Sequence, residues 1–298
     1  MNLSNKKVLV TGSSGFIGEN LKTRLIKEGA QITIFDKRNG DDVKDEKKMA
    51  GTLKNNFDII YHLAGVSGSA GSNKNAIESF KINTLATIKM LALVCKISPK
   101  TKIILSSSRL EYGIPRKLPV GESHPTEPNS IYGLSKLLAT QYALLLAKTQ
   151  KLNVTIFRTS NTYGPHEKEK FHGYNLINHF IDLAKSNKKI VIFGHGDQLR
   201  DYIYIDDLID AFILANQKIA SGKIYNLGYG KGVSLMEMAT LIVEKTGNGN
   251  IISRPWPQEY KNVETGSYIS DIRAINNDLN FVPRTTLVEG IIKTINNY

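Results

Sequence analysis

The chain has 298 residues, 41% apolar and 22% charged, the make-up of a globular protein long enough to bury a core as one large or two modest domains. A formal charge of +12 raises nucleic-acid binding, but the lysines are scattered, with no basic stripe interleaved with aromatics and no nucleic-acid motif, so no nucleic-acid partner is expected. A single cysteine, Cys95, excludes a disulfide framework, and Met1–Lys7 is too short and polar for a secretory leader, so a cytoplasmic location is expected. The longest apolar stretch, Leu137–Ala147, is broken by Thr140 and Gln141 and is not expected to span a bilayer. No metal site is expected.

Val8–Val10 reads as a buried parallel strand. Gly12, Gly15 and Gly18 follow at intervals of three, and Ile17, Leu21, Leu25 and Ile26 then form the apolar stripe of a helix that stops near Gly29. Gln31–Phe35 is a second strand, closed by Asp36. The glycine spacing differs from the usual Gly-x-Gly-x-x-Gly, but its place in a βαβ unit puts the glycines where a backbone approaches a pyrophosphate at the positive end of a helix. Asp36, 18 residues past Gly18, is placed to grip a ribose 2′-hydroxyl and to repel a 2′-phosphate. That favours NAD over NADP, although Lys37 and Arg38 soften the repulsion.

Asn39–Asp42 reads as a turn, Val43–Leu53 as a short polar helix and Asp58–Leu63 as the next strand. Almost no room remains for a further strand after Asp36, so that sheet edge is expected to be missing or a stub near Asp42. Ala64–Asn73, rich in Gly and Ser, leaves the carboxyl end of a strand, where ligands gather in open α/β sheets. Asn75–Lys96 reads as a long helix, Lys102–Leu105 as a strand running into Ser106–Ser108, Ser130–Lys148 as a helix after a Pro-rich loop, and Asn153–Phe157 as another strand. The alternation predicts a doubly wound, Rossmann-like parallel sheet. Beyond Thr159 it loosens: Asn161–Pro165 reads as a turn, Asn175–Ser186 as a helix, Ile190–Phe193 as a strand and Gly194–Arg200 as a loop. Ile203–Ile205 is expected to pair locally, Asp206–Ala220 to be helical and Tyr225–Leu227 to rejoin the sheet. Ser234–Lys245, with Ser234 and Glu237 as a capping box, and two segments, Asp271–Leu279 and Leu287–Asn296, read as the last helices. Residues 1–158 are expected to form the dinucleotide-binding domain and 159–298 a smaller substrate-binding lobe that partly returns to the sheet.

Tyr132 and Lys136 lie four apart on one helix and so share a face. A neighbouring ammonium and a nicotinamide cation would both lower the phenol from its ordinary value of about 10, fitting it to move a hydroxyl proton while hydride passes to a cofactor. Ser108, at the strand end, is placed to bond the same oxygen.

Thr11-Gly-Ser-Ser-Gly-Phe-Ile-Gly18, His62-Leu-Ala-Gly65, Asn83 with Thr87, Ser106–Ser108 and Tyr132-Gly-Leu-Ser-Lys136 together resemble the extended short-chain dehydrogenase/reductases, and within them the NAD-dependent sugar-nucleotide epimerase/dehydratase family. Arg158-x-x-Asn161-x-Tyr-Gly-Pro165, Gly194-x-Gly196-x-x-x-Arg200-Asp-Tyr-x-Tyr-x-Asp-Asp207 and Asn226-x-Gly228 carry the resemblance over nearly the whole chain. It implies that Gly12, Gly15, Phe16, Ile17 and Gly18 hold the pyrophosphate of NAD, Asp36 the adenosine ribose, and Asp42 with Val43 the adenine. Leu63, Ala64, Gly65, Asn83 and Thr159 would line the cofactor, with Lys136 on the nicotinamide ribose. Ser108 and Tyr132 would be hydrogen-bond donor and general base. Asn161, Asn175, Leu176 and Phe193 would frame the substrate nucleotide, and Arg200 would meet its diphosphate.

Two departures from the family pattern stand out. The Asp-Glu pair that serves dehydration is Arg109-Leu110 here, with Glu111 one place late, which disfavours a 4,6-dehydratase unless Glu111 reaches in. Glu264-Thr-Gly-Ser267 replaces the usual Arg-x-Gly-Asp, leaving Arg254, or no residue, as second phosphate cation. The leading expectation is a 4-epimerase of a nucleotide-diphosphate sugar. The alternatives are a C4 reductase or oxidase of a deoxysugar nucleotide and a non-catalytic dinucleotide-sensing protein. The apolar residues of 75–96 and 130–148 exceed what one sheet face covers, and the resemblance implies a homodimer through a four-helix bundle.

Overall fold

The computed structural model describes residues 3–165 and 175–297, so Met1 and Asn2 of the polar N-terminal segment lie outside the described residues. The strands are β1 (Lys7–Thr11), β2 (Gln31–Phe35), β3 (Ile59–His62), β4 (Lys102–Ser108), β5 (Val154–Thr159), β6 (Asn161–Tyr163), β7 (Lys189–Phe193), β8 (Leu199–Tyr204), β9 (Lys223–Leu227), β10 (Gly232–Ser234) and β11 (Asn250–Arg254). Six of them make one parallel sheet in the order β2-β1-β3-β4-β5-β9. Its strands are apolar on both faces because both are covered. Val8, Val10, Ile59, Tyr61 and Ile104 pack into one core, while Leu9, Ile60, Ile103 and Leu105, the alternate positions, pack into the other.

The chain leaves β1 towards β2 and returns on the other side of β1 to β3. The carboxyl ends of β1 and β3 are therefore the point where the winding reverses, and a crevice opens there. The edge beyond β2 carries no strand: Lys37–Asn39 is a single 3₁₀ turn, capped by Asp36, and the next element is the helix Glu46–Leu53.

Several elements differ from the sequence-based expectation. The helix expected over 75–96 is Ala76–Phe80, a π-helical stretch Lys81–Ala86, and Thr87–Ile97, and the connection before it holds a short helix, Ser69–Lys74. The turn at Asn161 is strand β6, which pairs in parallel with β8, and β8 pairs in turn with β10. Arg200 thus lies on a strand, not in a loop. These strands escape periodicity because β6 and β10 have three residues each, too few to show alternation. β11, absent from the sequence reading, pairs in parallel with β7. As expected, β9 rejoins the main sheet, and the Ser234 and Glu237 capping box opens the helix Leu235–Thr246.

Candidate functional site

The three glycines of the first turn have different reasons to be glycine. Gly12 has φ +70°, and a Cβ there would lie 2.6 Å from the Ala64 nitrogen; one on Gly18 would lie 2.2 Å from the Gly12 carbonyl oxygen. Both are required by close backbone approach within the protein. Gly15 is the N-cap of the helix Phe16–Lys27, and a Cβ there would meet only the Gly12 oxygen, at 3.3 Å. Beyond it the groove is open, at the positive end of that helix. Of the three, Gly15 is the one whose missing side chain leaves space for a ligand.

Two adjoining cavities follow the carboxyl edge of the sheet. One, of about 640 Å³, is lined by Gly12, Gly15, Phe16, Asp36, Asp41, Asp42, Val43, Ala64 and Gly65 among others. Asp36 accepts backbone hydrogen bonds from Ser14 (2.8 Å) and Arg38 (2.9 Å). Burial opposes its ionisation, but these bonds outweigh it and hold its carboxyl below the ordinary range.

The floor between the cavities is fixed by buried polar side chains. His62 bridges Thr11 Oγ1 (2.8 Å) and Thr87 Oγ1 (2.9 Å), and burial, reinforced by the charge of Lys136, pushes its pKa down to about 3, so the ring is neutral. Thr87 donates to the Asn83 carbonyl, so the His62 Nε2 is the donor to Thr87 and its Nδ1 accepts from Thr11. Asn83 lines neither cavity. Its amide accepts from the Val66 N–H and donates to the Val66 carbonyl, both at 2.9 Å, clamping the loop that follows β3. The π-helical turn carries Asn83 to that loop.

The second cavity, of about 540 Å³, holds Gly12, Gly15, Phe16, Ile17, Gly18 and Leu63 at one end and Ser108, Tyr132, Lys136 and Thr159 at its centre. Tyr132 and Lys136 rise from the helix Ile131–Gln150, whose first turn is capped by Ser130. Burial pushes the Tyr132 phenol up to about 12; a hydrogen bond with Ser108 pulls it down and the charge of Glu111 adds to the rise. The Lys136 ammonium donates to the Ser106 carbonyl at 3.0 Å, and burial lowers its pKa to about 8. Ser107 and Ser108 both line the cavity but differ in partner: the Ser107 hydroxyl bonds Glu111 and Thr140, while Ser108 bonds the Tyr132 phenol.

Glu111 does not reach in. It is fully buried behind the cavity, paired with Arg158 at 2.7 Å and bonded by Thr140 at 2.6 Å. Asn161, Asn175, Leu176 and Arg200 line the far end of the cavity, with Asn175 also capping the helix Leu176–Lys185. Phe193 lines neither cavity and packs on Trp256 and Tyr260, each with ring centroids 5.6 Å away. Arg254 is exposed at the end of β11 and also lines neither. Arg109, not expected at the nucleotide from the sequence, lines this cavity together with Arg200. Sequence reasoning also missed Tyr202, two residues from Arg200 and so on the same face of β8; reading the segment as a loop concealed that relation.

Residues 8–228 match the model of the NAD-dependent epimerase/dehydratase family. A Methanocaldococcus jannaschii protein named provisionally as a UDP-glucose 4-epimerase is 31% identical, the match covering 97% of each chain. The UDP-glucuronic acid decarboxylase 1 of Xenopus tropicalis is 28% identical over 98% of this chain and 72% of its own. The solved UDP-glucose 4-epimerase of Thermotoga maritima, with UDP-glucose, superposes with a TM-score of 0.90 at 26% identity, covering 98% of both chains.

Proposed function

This chain belongs to the NAD-dependent epimerase/dehydratase family, a family of enzymes, and from that premise we propose that it is a 4-epimerase of a UDP-hexose. The observation that carries the proposal is the centre of the second cavity, where the Tyr132 phenol, its partner Ser108 and the Lys136 ammonium line one space continuous with the glycine turn. The cofactor is NAD. Gly15, without a side chain, leaves space for a pyrophosphate at the start of the helix Phe16–Lys27, and Asp36 offers ribose hydroxyls a carboxylate held ionised. Asp41 and Asp42 line the same cavity but are paired with Lys48 and Lys44, and Lys37 and Arg38 line it too, so the preference for NAD over NADP rests on Asp36.

Bound NAD supplies the hydride acceptor for carbon 4 of the sugar and a positive charge that lowers the phenol's pKa. Tyr132 takes the proton of the 4-hydroxyl and later returns it, Ser108 holds that oxygen, and Lys136, fixed on the Ser106 carbonyl, keeps a cation beside them. Arg200, Asn161, Asn175 and Leu176 hold the nucleotide part. Dehydration has no acid or base in place, because Arg109 and Leu110 line the cavity and Glu111 is buried in its pair with Arg158. The protein mixed with UDP-glucose and no added cofactor is expected to yield UDP-galactose by NMR; a need for stoichiometric NAD(P)H would point to a reductase, and a 4-keto-6-deoxy product to a dehydratase.

The same reading includes a homodimer. Ile77, Phe80 and Leu85 on one helical segment and Leu134, Leu138 and Leu145 on the helix Ile131–Gln150 are exposed apolar residues, suited to a four-helix interface between two copies. A dimer in sedimentation at micromolar concentration is the expected result, and a monomer the contrary one.

A further inference from the structure

We propose that Arg109 is a second anion-binding residue for the substrate's diphosphate, acting beside Arg200 and the Tyr202 hydroxyl. This rests on the sugar-nucleotide reading above. Arg109 is 8% exposed and its guanidinium is held in place, donating to Thr265 Oγ1 at 3.0 Å and lying over the Tyr268 ring at 5.2 Å. No carboxylate stands within ion-pair distance of it among the described residues. Arg200, by contrast, is already paired with Glu264 at 2.5 Å and donates to the Leu199 and Gly266 carbonyls. The cavity that Arg109 and Arg200 both line contains Lys136 as well, and no Asp or Glu.

A buried cation with no ion-pair partner is costly to the fold. Burial, with repulsion from Arg200, lowers the Arg109 pKa to about 10, although the charge of Glu264, beyond ion-pair distance, opposes the shift. Such a group is retained where a ligand brings the opposite charge. The Tyr202 hydroxyl supplies an independent sign of the same ligand. Tyr202 is 5% exposed, lines this cavity, and its hydroxyl has no hydrogen-bond partner among the described residues. An anionic oxygen would satisfy the hydroxyl and the open N–H groups of Arg109 together.

What favours a diphosphate is that Arg109 does not stand alone on this wall. A sugar carboxylate brings one charge and two oxygens, which Arg109 would satisfy by itself without Arg200 or the Tyr202 hydroxyl. A pyrophosphate brings two charges and several non-bridging oxygens. With Glu264 claiming part of Arg200, Arg109 restores the positive charge that the diphosphate needs.

The test is calorimetric titration of the full chain with UDP and with uridine. Arg109→Gln is expected to weaken UDP binding about 10- to 100-fold, the range for a lost hydrogen bond to a charged group, and to leave uridine affinity and NAD content unchanged. Arg109→Lys should recover part of the loss, and Tyr202→Phe should weaken UDP by a smaller factor. Unchanged UDP affinity in Arg109→Gln, with UDP-glucose still turned over, overturns this inference alone. A loss seen with UDP-glucuronate but not with UDP assigns Arg109 to a sugar carboxylate and likewise overturns it. A wild-type protein that binds no nucleoside diphosphate overturns the sugar-nucleotide reading together with it.

Discussion

The two ends of the groove are built in opposite ways. The cofactor end comes from one contiguous βαβ unit plus the strand beside it, and its defining contacts run through the backbone: Gly12 against Ala64, Gly18 against Gly12, and the Ser14 and Arg38 N–H groups on the Asp36 carboxylate. The end proposed for the substrate is assembled from side chains on distant segments, Arg109 after β4 and Arg200 and Tyr202 on β8, with Thr265 and Tyr268 near the C-terminus behind Arg109. Backbone contacts of the first kind tolerate little change, because any Cβ collides. Side-chain sites of the second kind drift, and here an Arg stands where a dehydratase of the family carries an acid. A fold can therefore keep its cofactor while changing what it does with a substrate.

The sharpest way to break this comparison lies where the two ends meet. Tyr132→Phe is expected to lower turnover about 100- to 10,000-fold, the span of general acid–base contributions, while the purified protein keeps its NAD; loss of the cofactor along with activity would show that the phenol belongs to the cofactor end. A smaller effect separates the glycines. Gly18→Ala should destabilise the fold by about 3 kcal/mol, the upper range for overpacking, because its Cβ would lie 2.2 Å from the Gly12 oxygen. Gly15→Ala should melt close to the wild type and lose NAD instead. Thermal melting with cofactor extraction reads both, and equal melting losses in the two variants would contradict the distinction drawn between them.

The same contrast explains what was legible in the sequence. β1, the glycine turn and β2 are local, and their hydrophobic runs and spacing announce them; so do the helix with Tyr132 and Lys136 and the capping box at Ser234. What stayed hidden depends on pairings between distant segments. β6 and β10 are strands because β8 lies between them, and only that pairing brings Arg200 and Tyr202 to one wall. Asn83 was expected at the cofactor, yet its amide serves the Val66 backbone across 17 positions of sequence. Phe193 was expected at the nucleotide, yet it packs in an aromatic cluster with Trp256, a residue about 60 positions further along the chain. Glu111 stood one place from a catalytic acid's position and is turned away by Arg158, a partner 47 residues on.

The central claim is that carbon 4 of a UDP-hexose is oxidised and reduced again within one closed site, with Tyr132 moving the hydroxyl proton. UDP-glucose carrying deuterium on carbon 4, given to the protein with no added cofactor, tests it most directly. The account predicts UDP-galactose that keeps the deuterium on carbon 4. Deuterium lost to water or to a released cofactor, or a product changed at carbon 6 in place of carbon 4, would contradict it.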